Sequence, residues 1–459
     1  MRTEGVGLHA SWHGGVWRVS ALQPGTSSVA RRVSALAIVV AALGYFVDIF
    51  DLLLFGIVRV PSLRDLGVPE DQLKPMGILL DNYLQTTGLV VGGIVWGVLG
   101  DRRGRLTVLF GSILTYSIAN VLNGFIADVP RGGSWSWMHS VGLGTAIDQY
   151  KVLRVVAGFG LAGELGAGIT LVAELVSRER RGLATTVVAA VGILGAVAAY
   201  WTTQLMSWRW AYITGGLLGL ALLALRIGVA ESGMFERART REVAGRGAFW
   251  RLFWPPQRLR RYLCVILAAV PIWFSVGVLI KYADAIGASL GMPPEARPSP
   301  GLAIMWCYVG LALGDLASGV SSQLMRSRRG ALWLFHALSA IAIAAYFAYG
   351  PRGLTTFYAC ATAVGFASGY WAVFVTMAAE QFGTDLRATA ATSAPNFVRW
   401  SAAGSAYLWI QAESWLFPGD SDAAWKAAVA VGCLVLPVAV IAVFWLRESF
   451  DDDLDFEES

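Results

Sequence analysis

Four ionisable residues stand inside long apolar runs of this chain: Asp48, Asp51, Glu164 and Arg399. A charged side chain at bilayer depth costs about 2.5–3.5 kcal/mol on insertion scales, so each needs a reason to be there. Asp48 and Asp51 are three positions apart, which places both on one helix face. Two carboxylates that close disfavour double ionisation, and one of them is then suited to carry a proton. The competing reading is that both pair with polar groups on neighbouring helices and never titrate. Glu164 lies among Gly158, Gly160, Gly163, Gly166 and Gly168, a run expected to form a close-packing face and not a ligand cradle. Glu164 itself is either a second proton site or a partner for Arg154. Ten positions separate the two, about 15 Å along a helix axis, so Arg154 needs another anion. Asp48 or Asp51 across a helix interface are the candidates.

Arg399 follows Pro395 and Asn396 in an apolar run. Arginine stays charged and binds carboxylates through two parallel N–H bonds, so an arginine facing a central cavity suits an anionic substrate. Asn396 shares its face and can bond the same ligand. The alternative is a salt bridge from Arg399 to Asp315 or another buried carboxylate that merely locks one conformation. Asp81, Asn82 and Gln85 give another run a polar end, and Asp81 and Gln85, as i,i+4 neighbours, are expected to line an entrance. Lys281 and Asp284 sit near the end of a further run, where snorkelling to the interface is the expected account. Asp315 is expected to make a gating contact with Arg326, Arg328 or Arg329.

The elements that position these groups follow from the composition. Hydrophobic residues make up 56% of 459 residues and charged residues 15%, too little charge to cover a soluble surface of this size. A spanning helix needs about 20 predominantly apolar residues. Such runs fall near 33–60, 77–100, 106–127, 152–176, 184–206 and 210–229, and again near 262–284, 301–324, 331–350, 354–379, 388–411 and 425–446. The reading is an all-α membrane protein of twelve spans in two six-helix bundles. Residues 1–32 are read as a loose N-terminal arm, 33–230 as the first bundle, 231–260 as a central loop, 261–447 as the second bundle and 448–459 as an acidic tail. Arginine clusters at 102–105, 178–181, in the central loop and at 326–329 all fall on one side with both termini. By the positive-inside rule that side is the cytoplasm, and a bacterial inner membrane is the expected location. Arg59, Arg64 and Lys74 are read as outside-loop residues. The formal charge of +5 is dispersed among these loops and makes no nucleic-acid face. No cysteine or histidine spacing suggests a metal site or a disulfide framework, and no cofactor is expected.

The two halves repeat each other. Glu174 precedes Arg181 by the interval that separates Glu380 from Arg387, and Arg102-Arg103-Gly104 has Arg328-Arg329-Gly330 as counterpart. Repeats in one orientation imply a pseudo-twofold axis along the membrane normal, with substrate bound between the halves.

The loop Gly97-Val98-Leu99-Gly100-Asp101-Arg102-Arg103-Gly104-Arg105 resembles the signature of the major facilitator superfamily. The pattern Arg154…Gly158…Gly160…Gly163-Glu164, then Glu174 and Arg181-Gly182, resembles its sugar-porter, metabolite:proton and aromatic-acid:proton symporter branches. Asp48-Ile49-Phe50-Asp51 is similar to an aromatic-acid element whose second residue is usually glycine. Glu231-Ser232-Gly233-Met234-Phe235 resembles a Glu-Ser-Pro-x-Phe element with glycine for proline. The resemblance casts Asp101, Arg102, Arg103, Arg105, Glu174, Glu380 and Arg387 as the inward gate, and Arg181 and Asp315 are read as gating residues beside them. It implies alternating access by rocking of the halves. Joined to the intramembrane charges, it leads to an expected proton-coupled symporter for a small organic anion, monomeric in the bilayer. In that scheme Asp48, Asp51 and Glu164 serve proton coupling, while Arg399, Asn396, Arg154, Gln85 and Asp81 serve substrate. A sugar or polyol carrier is the alternative within transport, and a non-transporting sensor the alternative outside it. No nucleophile–base pair suggests an enzyme.

Overall fold

The computed structural model describes residues 8–13, 16–21, 26–103, 105–163, 181–231, 249–383 and 386–450. Each of the twelve apolar runs carries a helix among the described residues. Helix α1 spans Thr26–Asp65. Helix α2 joins Leu73–Gly77, a π-helical stretch Ile78–Gln85 and Thr86–Arg103. Arg105–Asn123 (α3), Ala146–Leu161 (α4), Arg181–Leu205 (α5) and Trp208–Glu231 (α6) complete the first bundle. In the second, α7 (Pro256–Phe274) runs on through a π-helical stretch, Ser275–Ile280. Then come α8 (Pro300–Leu324), α9 (Arg328–Tyr349), α10 in two pieces (Leu354–Ser368 and Trp371–Glu380), α11 (Arg387–Leu416) and α12 (Ala423–Trp445). Eight helices among the described residues are long and apolar enough to cross a membrane, and shorter apolar stretches lie in α3 and α5. The remaining two are α4 and α11, the pair that carries Arg154 and Arg399.

Three boundaries differ from the sequence reading. The N-terminal arm holds an antiparallel hairpin of β1 (Leu8–His13) and β2 (Val16–Ala21), with Trp12 opposite Trp17. Helix α1 begins inside the expected arm and extends past the expected outer boundary, so Arg59 and Arg64 are helical. Arg59 is 1% exposed, not a loop residue. Within the expected central loop, Phe249–Phe253 forms a helical turn and α7 begins at Pro256; residues 232–248 and the acidic tail from Asp451 lie outside the described residues.

The repeat seen in the sequence is a repeat of packing. In the first bundle α1 lies against α5, α2 against α4, and α3 against α6; in the second α7 lies against α11, α8 against α10, and α9 against α12. Where α2 crosses α4, a Cβ on Gly158 would stand 2.0 Å from the carbonyl oxygen of Gln85. At the matching crossing of α8 and α10, a Cβ on Gly365 would stand 1.9 Å from that of Cys307. Backbones touch at both places because glycine leaves room, so the Gly158 run is a packing face as expected. Gly166 and Gly168 lie outside the described residues. The halves meet chiefly through α2 on α11 and α5 on α8, two contacts that the pseudo-twofold axis exchanges.

Candidate functional site

Several buried charges pair across the surface where the halves meet. Asp48 on α1 and Arg399 on α11 form an ion pair, Nη2 to Oδ2 3.3 Å, with side chains 0% and 1% exposed. Arg399 therefore pairs with a buried carboxylate, as the alternative reading allowed, and that carboxylate is Asp48 and not Asp315. Its guanidinium also stands 5.9 Å from the ring centre of Trp371. Arg226 of α6, also buried, adds a second positive charge acting on Asp48. Asp51 turns elsewhere: a Cβ on Gly215 of α6 would lie 2.2 Å from its Oδ1. The two carboxylates share a helix, with Asp48 set against Arg399 and Asp51 beside Gly215.

Arg154 corrects a second expectation. It reaches no carboxylate among the described residues; Nη1 donates to Gln85 Oε1 and Nη2 to Asn120 Oδ1, each at 3.2 Å. Its guanidinium lies 5.0 Å from the ring of Tyr212, 5.7 Å from Phe55 and 5.8 Å from Tyr150. Two amide oxygens and three ring faces hold this buried cation, by hydrogen bonds and cation–π attraction. Gln85 is thus turned into the first bundle and does not line an entrance with Asp81. Asn396 does sit between the halves, donating to the Ala162 carbonyl of α4 at 3.4 Å.

Toward the side opposite the termini, three ion pairs cross from one half to the other. Lys281 Nζ meets Asp81 Oδ2 at 2.5 Å, each side chain 3% exposed. Lys281 does not snorkel: the π-helical stretches that precede it in α7 and contain Asp81 in α2 direct both inward. Arg59 meets Asp284 at 2.6 Å and stacks on Tyr282 at 4.6 Å. Lys74 pairs with Glu413 of α11 beneath the ring of Trp409. Asn82 donates to the carbonyls of Gly277 and Ala402 and accepts from the Tyr282 hydroxyl. The far side is closed by these contacts. Each joins groups 195 to 339 positions apart, so no local sequence signal marks them.

On the side of the termini, Arg328 pairs with Glu380 at 3.1 Å, joining α9 to the inner piece of α10. The Ser449 hydroxyl donates to Glu380 at 2.8 Å. Asp315 takes no part in this cluster. Its Oδ1 accepts the Ala372 N–H at 3.1 Å, capping the second piece of α10. Asp101, Arg102 and Arg103 close α2, while Arg105 and Arg181 open α3 and α5. Arg387 opens α11. Glu164 and Glu174 lie outside the described residues.

Glu448 was missed. It accepts from the Ser327 hydroxyl and from the N–H groups of Arg328 (2.8 Å) and Arg329 (3.3 Å), capping α9. Glu448-Ser449 stands after the twelfth span as Glu231-Ser232 stands after the sixth, and that repetition was the available signal. Burial raises the Glu448 pKa, but hydrogen bonds from Ser327 and the backbone outweigh it and hold the carboxyl below its ordinary value. Its stabilisation is therefore complete above the unfolded-state pKa and is lost as pH falls through the lowered folded one. Glu448→Ala is expected to cost about 0.5–2 kcal/mol, the usual range for a lost N-cap. A lowered melting temperature at neutral pH that converges with wild type in acid would show it.

The family model described as Major Facilitator Superfamily matches residues 41–406. A Bacillus subtilis protein provisionally named a niacin/nicotinamide transporter is 24% identical over 372 residues, 78% of this chain and 84% of that one. The shikimate transporter of Escherichia coli is 27% identical over 226 residues, 45% of this chain and 49% of that protein. The crystal structure of a D-xylose–proton symporter superposes with a TM-score of 0.63 at 15% identity, covering 90% of this chain and 98% of the other. The buried charges between two matched bundles and the family match over most of the chain lead to one conclusion: this chain belongs to the Major Facilitator Superfamily, as a membrane transporter and not an enzyme.

Proposed function

We propose that the protein is a proton-coupled symporter of a small organic anion, working by alternating access in a bacterial inner membrane with both termini in the cytoplasm. The observation that carries this reading is the Asp48–Arg399 pair, buried between the halves. Leaving either charge alone in such a place costs several kcal/mol, roughly 3–5 by analogy with other buried pairs. A substrate carboxylate can take the place of the Asp48 carboxylate on Arg399. Asp48 then sheds its unfavourable charge by taking a proton. Anion and proton are thereby bound together, and the occupied centre carries the same net charge as the empty one. The halves can close around it in either state, whereas one species without the other leaves a buried charge uncompensated. Niacin and shikimate, named for two relatives, are both ring compounds with a single carboxylate.

The test is uptake of radiolabelled nicotinate and shikimate into proteoliposomes, with and without a pH gradient. Uptake is expected to accelerate when the interior is alkaline. Asp48→Asn is expected to remove that response while leaving exchange of internal for external substrate. Equal uptake with and without the gradient would remove the coupling, and preference for a neutral sugar would remove the anion.

A further inference from the structure

Helix α10 is broken at Gly369 and Tyr370, and its second piece opens with Trp371. Two features hold the break in place. Asp315 caps the new helix through the Ala372 N–H, and Gly369 lies against the backbone of Gly314, where a Cβ would come within 2.5 Å. Phe374, one turn on, packs on the indole with ring centres 5.3 Å apart. The Trp371 ring is thereby set beside Arg399, 5.9 Å from guanidinium carbon to ring centre.

The donors at this place exceed what the protein uses. Asp48 engages Nη2 of Arg399, while Nε and Nη1 of Arg399 and Nε1 of Trp371 have no hydrogen-bond partner among the described residues. All three belong to side chains more than nine-tenths buried. Buried N–H groups are rarely left in this condition in a part of a protein that only has to fold. The one oxygen already bound here, from Asp48, belongs to a carboxylate. The remaining donors match the other oxygens that a second carboxylate would bring.

We propose that Trp371 is a substrate-contacting, specificity-determining residue, whose indole N–H joins Arg399 in holding the carboxylate of a flat ring monocarboxylate. The proposal rests on the organic-anion reading above. The indole adds what arginine alone does not: a single donor of fixed direction, and an apolar face against which a ring can lie. It also accounts for the helix break, since an unbroken α10 would not begin a turn at this residue.

Trp371→Phe keeps the ring and deletes the N–H. Binding of nicotinate, benzoate and shikimate, and of the neutral nicotinamide, is measured by calorimetry on the full-length protein in nanodiscs. Trp400→Phe, at an exposed tryptophan on α11, serves as control. For Trp371→Phe we expect carboxylate binding to weaken about tenfold, nicotinamide binding to stay within about twofold, and the melting temperature to hold. In transport the loss falls on KM and not on kcat. Carboxylate affinity equal to wild type in Trp371→Phe, with Arg399→Ala still weakening binding, would overturn the role of Trp371 alone. Wild-type protein that binds no carboxylate probe, or binds nicotinamide as tightly as nicotinate, would overturn the anion reading and this proposal with it.

Discussion

Arg399→Ala is expected to reduce affinity for an anionic substrate by about 30-fold to several thousand-fold, the largest functional effect of any single change in the chain. The range is the roughly 2–5 kcal/mol lost when one member of a buried, hydrogen-bonded charge pair is truncated. The effect on folding should be smaller, because Asp48 can answer the loss of its partner by taking a proton. Asp48→Asn in the same chain separates the two effects. If Arg399 serves only to neutralise Asp48, the double variant recovers both stability and binding. If Arg399 also holds substrate, the double variant recovers stability alone. Arg399→Lys is expected to recover little, since an ammonium lacks the planar fork that can keep Asp48 on Nη2 and present Nη1 to a ligand. Full binding in the double variant would assign Arg399 a purely structural role.

Lys281→Met is the second large effect, and it falls on conformation. The change keeps the length of the side chain and leaves Asp81 buried, 2% exposed, without its 2.5 Å partner. Breaking a buried pair in this way costs roughly 3–5 kcal/mol. In a transporter that cost need not appear as unfolding, because the far side can open and hydrate Asp81. A bias of that size shifts an equilibrium between two states by roughly 150-fold to several thousand-fold, enough to move a closed population most of the way to an open one. Spin labels at Glu70 and Glu295, both exposed near the far side and on opposite halves, should report a longer distance in the variant. Exchanging the charges, Asp81→Lys with Lys281→Asp, should restore the short distance. An unchanged distance in Lys281→Met would show that Arg59–Asp284 and Lys74–Glu413 suffice to hold the far side shut.

The two experiments address different pairs for a reason visible in the geometry. Asp48–Arg399 is incompletely satisfied, with Oδ1 of Asp48 and two nitrogens of Arg399 lacking partners among the described residues. Lys281–Asp81 is shorter and lies among further contacts between the halves, those of Asn82 and Tyr282. An incompletely satisfied pair can exchange partners with a ligand at low cost, whereas a satisfied one resists opening. Substrate handling therefore falls to the first and closure to the second.

Much of the architecture was legible in the sequence. Twelve runs of about 20 apolar residues require twelve helices, because no other structure of this size satisfies its backbone in lipid without a closed barrel. The equal spacing from Glu174 to Arg181 and from Glu380 to Arg387 announced the duplication that the packing repeats. Asp48, Arg399 and Arg154 could be named because a charge inside an apolar run is costly wherever it lands. Glycines at 158, 160 and 163 could be read as a packing face, because a residue without a Cβ serves backbone contact.

What the sequence could not decide was the partner of each charge. Asp48 and Asp51 are neighbours along the helix, yet one meets Arg399 across the molecule and the other faces Gly215. Lys281 had the composition of a snorkelling lysine, and only the π-helical turn before it shows why it points inward. Arg154 was expected to need a carboxylate, and among the described residues it meets amide oxygens and ring faces. The burial of charge is a property of the local run, set by the apolar residues on either side. Its compensation depends on which helices meet, at what depth and in what rotation, and for Arg399 that partner is 351 positions away. Only the packed bundle settles such a contact, because the free energy of a buried ion pair lies in the last few ångströms between its members.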